Sequence, residues 1–548
     1  MKLNTQLKTL FFLACICLLS FFSETVNAQK IFQKTYGGPI LDFSNQVIQL
    51  ADSNYMLLGS TRNFGAGQED IYLMKIDQSG DTLWSIAFGD TSDDEGHNIL
   101  QTSDGGFLIS GTTKSVGAGG DDIVIMKIDS SANITWTKTY GGPNVDFCFA
   151  AKACKDGGYI LGGCTTSYGN AAGNTDVYLI RTNDSGDTLW THTYGSTAVE
   201  EGHELLQTTD SGFVVAGFTL VNGTKDMLVL KTDGSGTLQW AKTYGGSASD
   251  VAFGIVETND GYCIAGSSAS FSLGGDLDVY MVKTDFWGDT LWSRSFGTSD
   301  SDECRCIRQT VDSDFIMTGY ANKVSNVFDD ILIFKTNSIG QITFQNIIGT
   351  NTNARDVGLC IIPTFDNGFM VTGYTQSFGN GTQAILIKSD HFGYSGGCNQ
   401  ASATLSPGFP STVVGNFSAI ESHGSNVGTI TSFVMNNAPC SITTLCMAIP
   451  VKPVTTDQIQ LSIAPNPFTD FTDISLSGVR VDSKLIFTVS NIMGVEVRQY
   501  IIDSSNDYRF RFYKNFLAPG IYIYRVTPFS SSYQDQANSI STGKLIIQ

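Results

Sequence analysis

The chain has little positive charge. Its 548 residues include 32 Lys and Arg against 52 Asp and Glu, which gives a formal net charge of −20 at pH 7. Nucleic acid and anionic membrane surfaces both require a basic footprint, so the composition excludes them as partners. The charge is typical of a soluble protein and leaves cations open as partners.

Long apolar runs are missing beyond the N-terminus. Lys2 and Lys8 precede an apolar run over 10–22, and the small-residue sequence V-N-A at 26–28 provides a cleavage site. This pattern predicts a secretory signal peptide over 1–28, because the run is too short and too early to be a membrane span.

Amphipathic helical periodicity and common catalytic signatures are absent as well. The sequence has no nucleophile elbow, no HExxH, no P-loop and no paired CxxC. Its 58 glycines suit tight turns, and its 35 phenylalanines suit half-buried strands. We therefore predict that the mature chain is almost entirely β.

What the sequence does contain is a unit repeated seven times at intervals of 50 to 54 residues. An aromatic residue opens the motif W-x-x-x-[YF]-G at Phe32, Trp84, Trp136, Trp190, Trp240, Trp292 and Phe344. A carboxylate recurs at Asp42, Asp94, Asp146, Glu200, Asp250, Asp302 and Asp356. A hairpin-turn Asp recurs at Asp52, Asp104, Asp156, Asp210, Asp260, Asp312 and Asp366, and a later glycine at Gly59, Gly111, Gly163, Gly217, Gly266, Gly319 and Gly373.

A period near 50 with Asp-Gly hairpin turns predicts four antiparallel strands per unit and a seven-bladed β-propeller over 29–395. The array begins with only a fourth strand and ends with only three. One blade would therefore combine both ends and close the ring, which removes exposed strand edges. Ligand binding is expected on the variable loops between second and third strands.

Two sets of polar residues are candidates for function. The seven carboxylates from Asp42 to Asp356 are expected at the mouth of the propeller's central channel. There they either bind a cation or accept hydrogen bonds from their own loops. Since all seven copies carry a carboxylate, we favour the structural role, in which it accepts hydrogen bonds. His97 and His203 share the phrase Glu-Gly-His and are candidates for a metal or acid–base role. We predict no cofactor, with calcium as the alternative.

Other residues have simpler interpretations. The tryptophans keep a fixed place on the fourth strand, which indicates packing between blades rather than sugar stacking. Cys304 and Cys306 form a C-x-C that could suggest metal or redox chemistry, but on a strand it more often places two small apolar groups on one face. Disulfide connectivity cannot be deduced from the sequence.

The repeat motifs, with YGG, a D-G-G hairpin, GxT and K-x-D-x-x-G-D-T-L-W, resemble the β-propeller repeats of secreted bacterial proteins.

Residues 396–458 are rich in Ser, Thr, Gly, Asn and Pro, which predicts a linker with some strand content. Residues 459–548 predict a small Ig-like β-sandwich, and their ordered motifs closely resemble the C-terminal sorting domain of the type IX secretion system. The motif residues are Pro465, Asn466, Pro467, Gly494, Pro519, Gly520, Tyr522 and Lys544.

That resemblance implies export through the periplasm, recognition by the type IX secretion machinery, and release or attachment at the outer cell surface. We expect a monomeric, secreted or surface-bound propeller that binds a glycan or a protein without catalysis. The alternative is a propeller-based polysaccharide lyase or hydrolase. An enzyme should bring unrepeated acid, base or His residues together on one face, and the sequence offers only His97 and His203 for this.

Overall fold

A computed structural model describes residues 29–169, 174–274, 276–322, 329–350, 354–379, 381–396, 399–402, 405–410, 413–416, 420–422, 427–429, 434–437, 441–447, 460–464, 469–477, 485–491, 496–502, 509–514, 517–528 and 541–547. These residues form 42 strands and no helix, which confirms the all-β prediction for the part described. The described residues therefore contain no helix that could span a membrane. The chain divides into two compact units, Gln29–Ala448 and Ile449–Gln548, which are described separately.

The repeats form the first 28 strands. They are β1 (Phe32–Gly37), β2 (Asp42–Gln49), β3 (Tyr55–Thr61), β4 (Asp70–Ile76), β5 (Thr82–Gly89), β6 (Asp94–Gln101), β7 (Phe107–Thr113), β8 (Asp122–Ile128), β9 (Ile134–Tyr140), β10 (Asp146–Ala153), β11 (Tyr159–Thr165), β12 (Asp176–Thr182), β13 (Thr188–Gly195), β14 (Val199–Gln207), β15 (Phe213–Val221), β16 (Thr224–Thr232), β17 (Leu238–Gly245), β18 (Asp250–Thr258), β19 (Gly261–Ser268), β20 (Asp278–Thr284), β21 (Thr290–Gly297), β22 (Asp302–Gln309), β23 (Phe315–Asn322), β24 (Asp329–Thr336), β25 (Ile342–Ile348), β26 (Asp356–Pro363), β27 (Phe369–Thr375) and β28 (Gln383–Ser389).

Each repeat folds into one antiparallel sheet whose strands follow chain order. Sheets 1 to 6 are β2–β5, β6–β9, β10–β13, β14–β17, β18–β21 and β22–β25, and sheet 7 joins β26–β28 to β1. In sheet 7 the N-terminal strand pairs with the end of the array, for example Phe32 with Lys388. The first strand of each sheet contacts that of the next, and β26 contacts β2, so the seven inner strands form a closed ring.

Seven short strands add a fifth strand to these sheets. They are β29 (Gln400–Ser402), β30 (Ser406–Gly408), β31 (Val413–Asn416), β32 (Ile420–Ser422), β33 (Val427–Thr429), β34 (Val434–Asn437) and β35 (Ser441–Met447). They pair with the outer edges of sheets 6, 5, 4, 3, 2, 1 and 7, in that order. The segment predicted as a linker with some strand content therefore passes round the ring in the direction opposite to the repeats. We call β29–β35 the outer strands.

The core lies between neighbouring sheets. The second and third strands of sheet 2, β7 and β8, are buried along their whole length. One apolar cluster combines Leu58 and Ile71 of sheet 1 with Ile109 and Val124 of sheet 2. Since both faces of each sheet are covered, these strands are nearly continuous apolar runs rather than alternating ones.

The repeated polar residues hold each sheet together. In every sheet, a Lys or Arg of the third strand forms an ion pair with the hairpin-turn Asp. The seven pairs are Lys75–Asp52, Lys127–Asp104, Arg181–Asp156, Lys231–Asp210, Lys283–Asp260, Lys335–Asp312 and Lys388–Asp366. These ion pairs explain why the basic residue and the Asp recur in every repeat, and no bound ligand is needed to explain their spacing.

The repeated aromatics join one sheet to the next. Trp136 of sheet 2 packs against Gly186 in the turn between the third and fourth strands of sheet 3. The Tyr140 hydroxyl donates a hydrogen bond to the carbonyl of the same glycine at 2.5 Å. Tyr36 and Tyr244 make the same bond to Gly80 and Gly288. The motif W-x-x-x-Y thus forms a contact between sheets.

The C-terminal unit contains β36 (Gln460–Ala464), β37 (Phe471–Ser477), β38 (Leu485–Asn491), β39 (Glu496–Ile502), β40 (Arg509–Tyr513), β41 (Gly520–Pro528) and β42 (Ser541–Ile547). They form two antiparallel sheets, β36-β37-β40 and β39-β38-β41-β42. Ile474 and Phe512 from the first sheet share a buried cluster with Phe487, Val526 and Leu545 from the second. This cluster is the core of the unit.

Candidate functional site

Every inner strand contains a β-bulge at the same place. In all seven sheets, the pairing between the first and second strands skips one residue of the first strand. The skipped residue is the third one after the repeated carboxylate. The repeated glycine lies opposite: a Cβ on Gly59 would lie 1.8 Å from the carbonyl oxygen of Phe43, so no side chain fits there. A bulge re-aims one side chain and is common beside functional sites.

The bulge residues differ from sheet to sheet, although the backbone around them repeats. They are Asn45, His97, Phe149, His203, Phe253, Arg305 and Leu359. Since each belongs to an inner strand and the inner strands form a ring, we call these seven residues the axial belt. All seven are half-buried, so each side chain keeps some exposure to solvent.

Five belt residues from consecutive sheets contact one another in sequence. The ring centroids of His97 and Phe149 lie 6.1 Å apart, and those of Phe149 and His203 lie 5.4 Å apart. His203 stacks on Phe253 at 5.1 Å with an interplanar angle of 7°. The Arg305 guanidinium lies 4.3 Å from the centroid of Phe253, a distance suited to a cation–π interaction. Imidazole, phenyl and guanidinium groups thus line one continuous stretch of the ring.

Three acidic residues accompany the belt in alternate sheets. Each lies two residues before a basic belt residue of its own strand: Glu95 is 3.6 Å from His97, Glu201 is 3.2 Å from His203, and Glu303 forms an ion pair with Arg305. The Glu95 and Glu201 side chains are 35% and 30% exposed, and the Arg305 side chain 36%. Carboxylate and guanidinium groups are therefore within reach of a ligand.

The belt environment shifts the pKa values of these groups in different directions. Burial raises the pKa of Glu95, and neighbouring carboxylates, Glu69 first, raise it further. Burial also raises the pKa of Glu201, but the hydrogen bond with His203 and the positive charges of His203 and Lys225 together outweigh burial and leave the pKa below its usual value. Burial lowers the pKa of His97 to about 4, so this imidazole is neutral at pH 7.

A second charged group lies one residue beyond the belt. Glu204 is 2.9 Å from the Lys152 ammonium of sheet 3 and 3.3 Å from the Arg308 guanidinium of sheet 6. The Glu204 side chain is only 12% exposed. The contact with Arg308 joins the inner strands of sheets 4 and 6, which are not neighbours in the ring.

The predicted cation ligands are buried among hydrogen-bond donors of their own sheet. The seven carboxylates, Asp42, Asp94, Asp146, Glu200, Asp250, Asp302 and Asp356, are all fully buried. Asp42 is representative: it accepts hydrogen bonds from the Gly38 amide at 2.7 Å, Thr61 at 2.5 Å and Asn63 at 2.6 Å. No three His, Cys, Asp or Glu side chains in the described ranges are grouped so as to hold a metal ion.

Six of these carboxylates have an acidic neighbour from the preceding sheet, whereas Asp42 has Gln383 at the equivalent position. Asp70, which opens β4, and Asp94, which opens β6, both lie beside Gly89 at the end of β5. A Cβ on Gly89 would be 1.9 Å from the Asp70 carboxylate, which explains the glycine that ends the W-x-x-x-[YF]-G motif. Burial raises the pKa of Asp70, Asp122 and Asp278 to about 6 and that of Asp302 to about 7.

These raised pKa values predict that mild acid stabilises the ring. A carboxyl whose folded pKa is raised favours the folded state when protonated, and this contribution is lost as pH rises through about 6 to 7. We expect the melting temperature to be several degrees higher at pH 5 than at pH 8 at constant ionic strength. Asp302→Asn keeps an acceptor for the Thr298 amide and should reduce this difference. A wild-type melting temperature that is equal or higher at pH 8 would contradict the assignment.

The structure places the two predicted histidines in equivalent bulges, with Phe149 between their rings. They do not share a ligand site with each other, because each faces the Glu of its own strand. Arg305, Phe149, Phe253 and the three glutamates were missed by the sequence analysis. Variation at a fixed repeat position, three residues after the carboxylate, was the signal that could have identified them.

The sorting-motif residues lie in the C-terminal unit or outside the described residues. Pro465, Asn466, Pro467 and Gly494 are outside them, as is the predicted signal peptide. Pro519 and Gly520 lie exposed where β41 begins, and the Tyr522 hydroxyl donates to the Ala518 carbonyl at 2.9 Å. Lys544 is exposed on β42, opposite Ile523.

Comparison with known proteins identifies no family for this chain. No family model matches the sequence, and no curated protein matches it. Structural matches include Sqt1 from Chaetomium thermophilum, at 10% identity and TM-score 0.37 over 66% of this chain and 99% of that one. Another is the extracellular domain of the hybrid two component system BT4673 from B. thetaiotaomicron, at 8% identity and TM-score 0.18 over 94% and 98%. Such low TM-scores say nothing about function.

Proposed function

We propose that this protein is a secreted seven-bladed β-propeller that binds a glycan or a protein at the axial belt without catalysis. The observation that carries the proposal is the contrast between the repeated residues and the belt. Carboxylates, glycines, aromatics and lysines repeat because they build each sheet. The belt residues occupy equally fixed backbone positions, yet the seven positions carry five residue types, and only His and Phe occur twice. Scaffold requirements do not explain such variety.

The belt has the chemistry of a recognition surface. Phe149 and Phe253 provide apolar surface, while Glu95, Glu201 and Arg305 provide partly exposed hydrogen-bonding groups beside it. Binding sites typically combine aromatic lining with a few placed polar groups. Both sugar hydroxyls and protein side chains suit this combination.

The second candidate is a polysaccharide lyase or hydrolase, for which the Glu201–His203 pair is the specific observation. Its 3.2 Å contact is within reach for a general base and the group that orients it. We rank binding first because the His203 Nδ1 is occupied by the Ala252 carbonyl at 3.0 Å and aromatic rings lie on either side of the imidazole. These contacts favour a fixed side chain over a proton-transfer group.

We propose export by the type IX secretion system, with the C-terminal unit as an Ig-like sorting β-sandwich and the monomer as the secreted or surface-attached form. The sequence motifs at 459–548 support this, together with a two-sheet unit that has its own core. A reporter that carries the signal peptide and residues 459–548 should reach the outer surface of a bacterium with that system. Retention of the reporter in the periplasm would refute the route.

The binding proposal is tested by probing glycan and protein arrays with the mature chain from Gln29. We expect a small set of related ligands, bound without chemical change. Mass spectrometry of each bound glycan after incubation separates the two candidates, because cleavage products would establish the enzyme. Absence of specific binding on both arrays would overturn the proposal.

A further inference from the structure

Two cysteines occupy equivalent positions on neighbouring inner strands. Cys306 on β22 follows the belt residue Arg305, and Cys360 on β26 follows the belt residue Leu359. The other five inner strands carry Gln46, Asn98, Ala150, Glu204 and Gly254 at this position. The repeat therefore does not require a thiol here, and the only two thiols at this position lie in adjacent sheets.

The two side chains lie close together. Both belong to one buried cluster, and each shifts the pKa of the other. Cys306 Sγ also accepts a hydrogen bond from the Ile361 amide at 3.5 Å and donates to the Ile361 carbonyl at 3.8 Å. Both residues are buried, at 5% and 3% exposure. Backbone contacts from the neighbouring strand thus hold Cys306 Sγ beside Cys360.

We propose that Cys306 and Cys360 form a disulfide that joins sheet 6 to sheet 7. Sheet 7 is the one assembled from both ends of the repeat array, so its position depends on non-covalent contacts with its neighbours. A covalent link to sheet 6 would fix it in the ring and hold Arg305 and Arg308 in place. The proposed export supplies the oxidising compartment in which such bonds persist.

The environment of the pair favours Cys306 as the attacking thiolate. The hydrogen bond from Cys360 and the charge of Arg308 hold the pKa of Cys306 below its usual value, although burial opposes this. The hydrogen bond to Cys306, together with burial, raises the pKa of Cys360. Thiolate is the nucleophile in disulfide exchange.

The reaction needs a disulfide oxidant, R–S–S–R, such as a thiol oxidase of the compartment or oxidised glutathione. The Cys306 thiolate attacks one oxidant sulfur, forms a mixed disulfide and releases one R–S⁻. Cys360 then loses its proton and attacks Cys306 Sγ, which forms the Cys306–Cys360 bond and releases the second R–S⁻. The two thiols lose two protons and two electrons, and the oxidant is reduced to two thiols. Because both thiols are buried in the assembled ring, the oxidant reaches Cys306 as sheets 6 and 7 dock, when Cys360 and Arg308 already lie beside it but the thiols are still exposed.

The test is to refold the mature chain with oxidised and reduced glutathione, block free thiols with iodoacetamide in denaturant, and digest with trypsin without reduction. Cleavage after Arg305, Arg308, Arg355 and Lys388 would leave peptide 306–308 linked to peptide 356–388. We expect this linked species in most molecules, and its loss in Cys360→Ser. The control Cys263→Ser, which removes a buried thiol elsewhere, should retain it.

A second measurement has its main result on the wild type, which does not depend on the folding of the variants. Adding a phosphine reductant should lower the melting temperature of the oxidised wild type by roughly 5 °C, as expected for a bond that closes a loop of this length. Cys306→Ser should show no such shift. Complete alkylation of both cysteines after oxidative refolding, or a link from Cys306 or Cys360 to any other cysteine, Cys304 included, would overturn the proposal. Since the refolding is done in vitro, the result is independent of the export route and of any ligand.

Discussion

Ending the chain at residue 395 should lower the melting temperature of the repeat unit by roughly 10 °C or more and make it self-associate. The truncation removes all seven outer strands, so the fourth strand of every sheet loses its partner. A row of unpaired amides and carbonyls is a template for pairing with another chain. The effect should be large because all seven sheets lose an edge strand at the same time.

The matched control ends at residue 448. It keeps β35, whose six paired residues cover β1 from Phe32 to Gly37, and removes only the C-terminal unit. Light scattering after size exclusion should find it monomeric, with the melting temperature of the same unit in the full mature chain. Two fragments with equal melting temperatures and equal mass distributions would show that the outer strands contribute nothing.

Replacing Glu204 with Ala should cost about 3 kcal/mol of unfolding free energy, because it leaves Lys152 and Arg308 facing each other without a counter-ion. Glu204→Gln keeps the size of the side chain and should cost less, since an amide still accepts a hydrogen bond. The surface control is Lys114→Ala, which breaks ion pairs with Asp93 and Asp121 at a side chain 48% exposed and should cost less than about 1 kcal/mol. Denaturant unfolding measures all three.

The pH dependence of this effect provides a second check. Burial raises the pKa of Glu204, but Lys152 and Arg308 outweigh it and leave the pKa below its usual value. The contribution of Glu204 is therefore present above its unfolded pKa and lost as pH falls through the folded pKa. The difference between wild type and Glu204→Ala should shrink at pH 3. A cost that is equal at pH 3 and pH 7, or equal to that of Lys114→Ala, would contradict the buried network.

Local patterns predicted the parts of the fold that local residues determine. Asp-Gly turns between short apolar runs indicate hairpins, and a period near 50 groups them into units of four strands. The outer strands could not be predicted in the same way. Several are only three residues long, they lie in a Ser- and Thr-rich segment, and their partners are far away in sequence; β35, for example, pairs with β1.

The candidate site could also be predicted from the sequence only in part. The repeated carboxylates attracted attention because they repeat, yet Asp42 is buried among donors from its own loop and from the end of the next strand. The belt was missed because a bulge shifts the strand pattern by one residue, so alternation no longer indicates which side chains face the ring axis. His97 and His203 were noticed as histidines, while Phe253 and Arg305 resemble ordinary strand residues until the bulge places them in contact.

The central claim is that repeated residues build the ring and belt residues bind the ligand. It is tested most directly by titrating the ligand selected on the arrays against wild type, Arg305→Ala, Phe253→Ala and Trp287→Ala, each first confirmed to be folded. Trp287 is a suitable control because it is 73% exposed in a turn and is not part of the belt. The account predicts at least about a tenfold loss of affinity in both belt variants and none in Trp287→Ala. Unchanged affinity in the belt variants, or a loss only in Trp287→Ala, would contradict it.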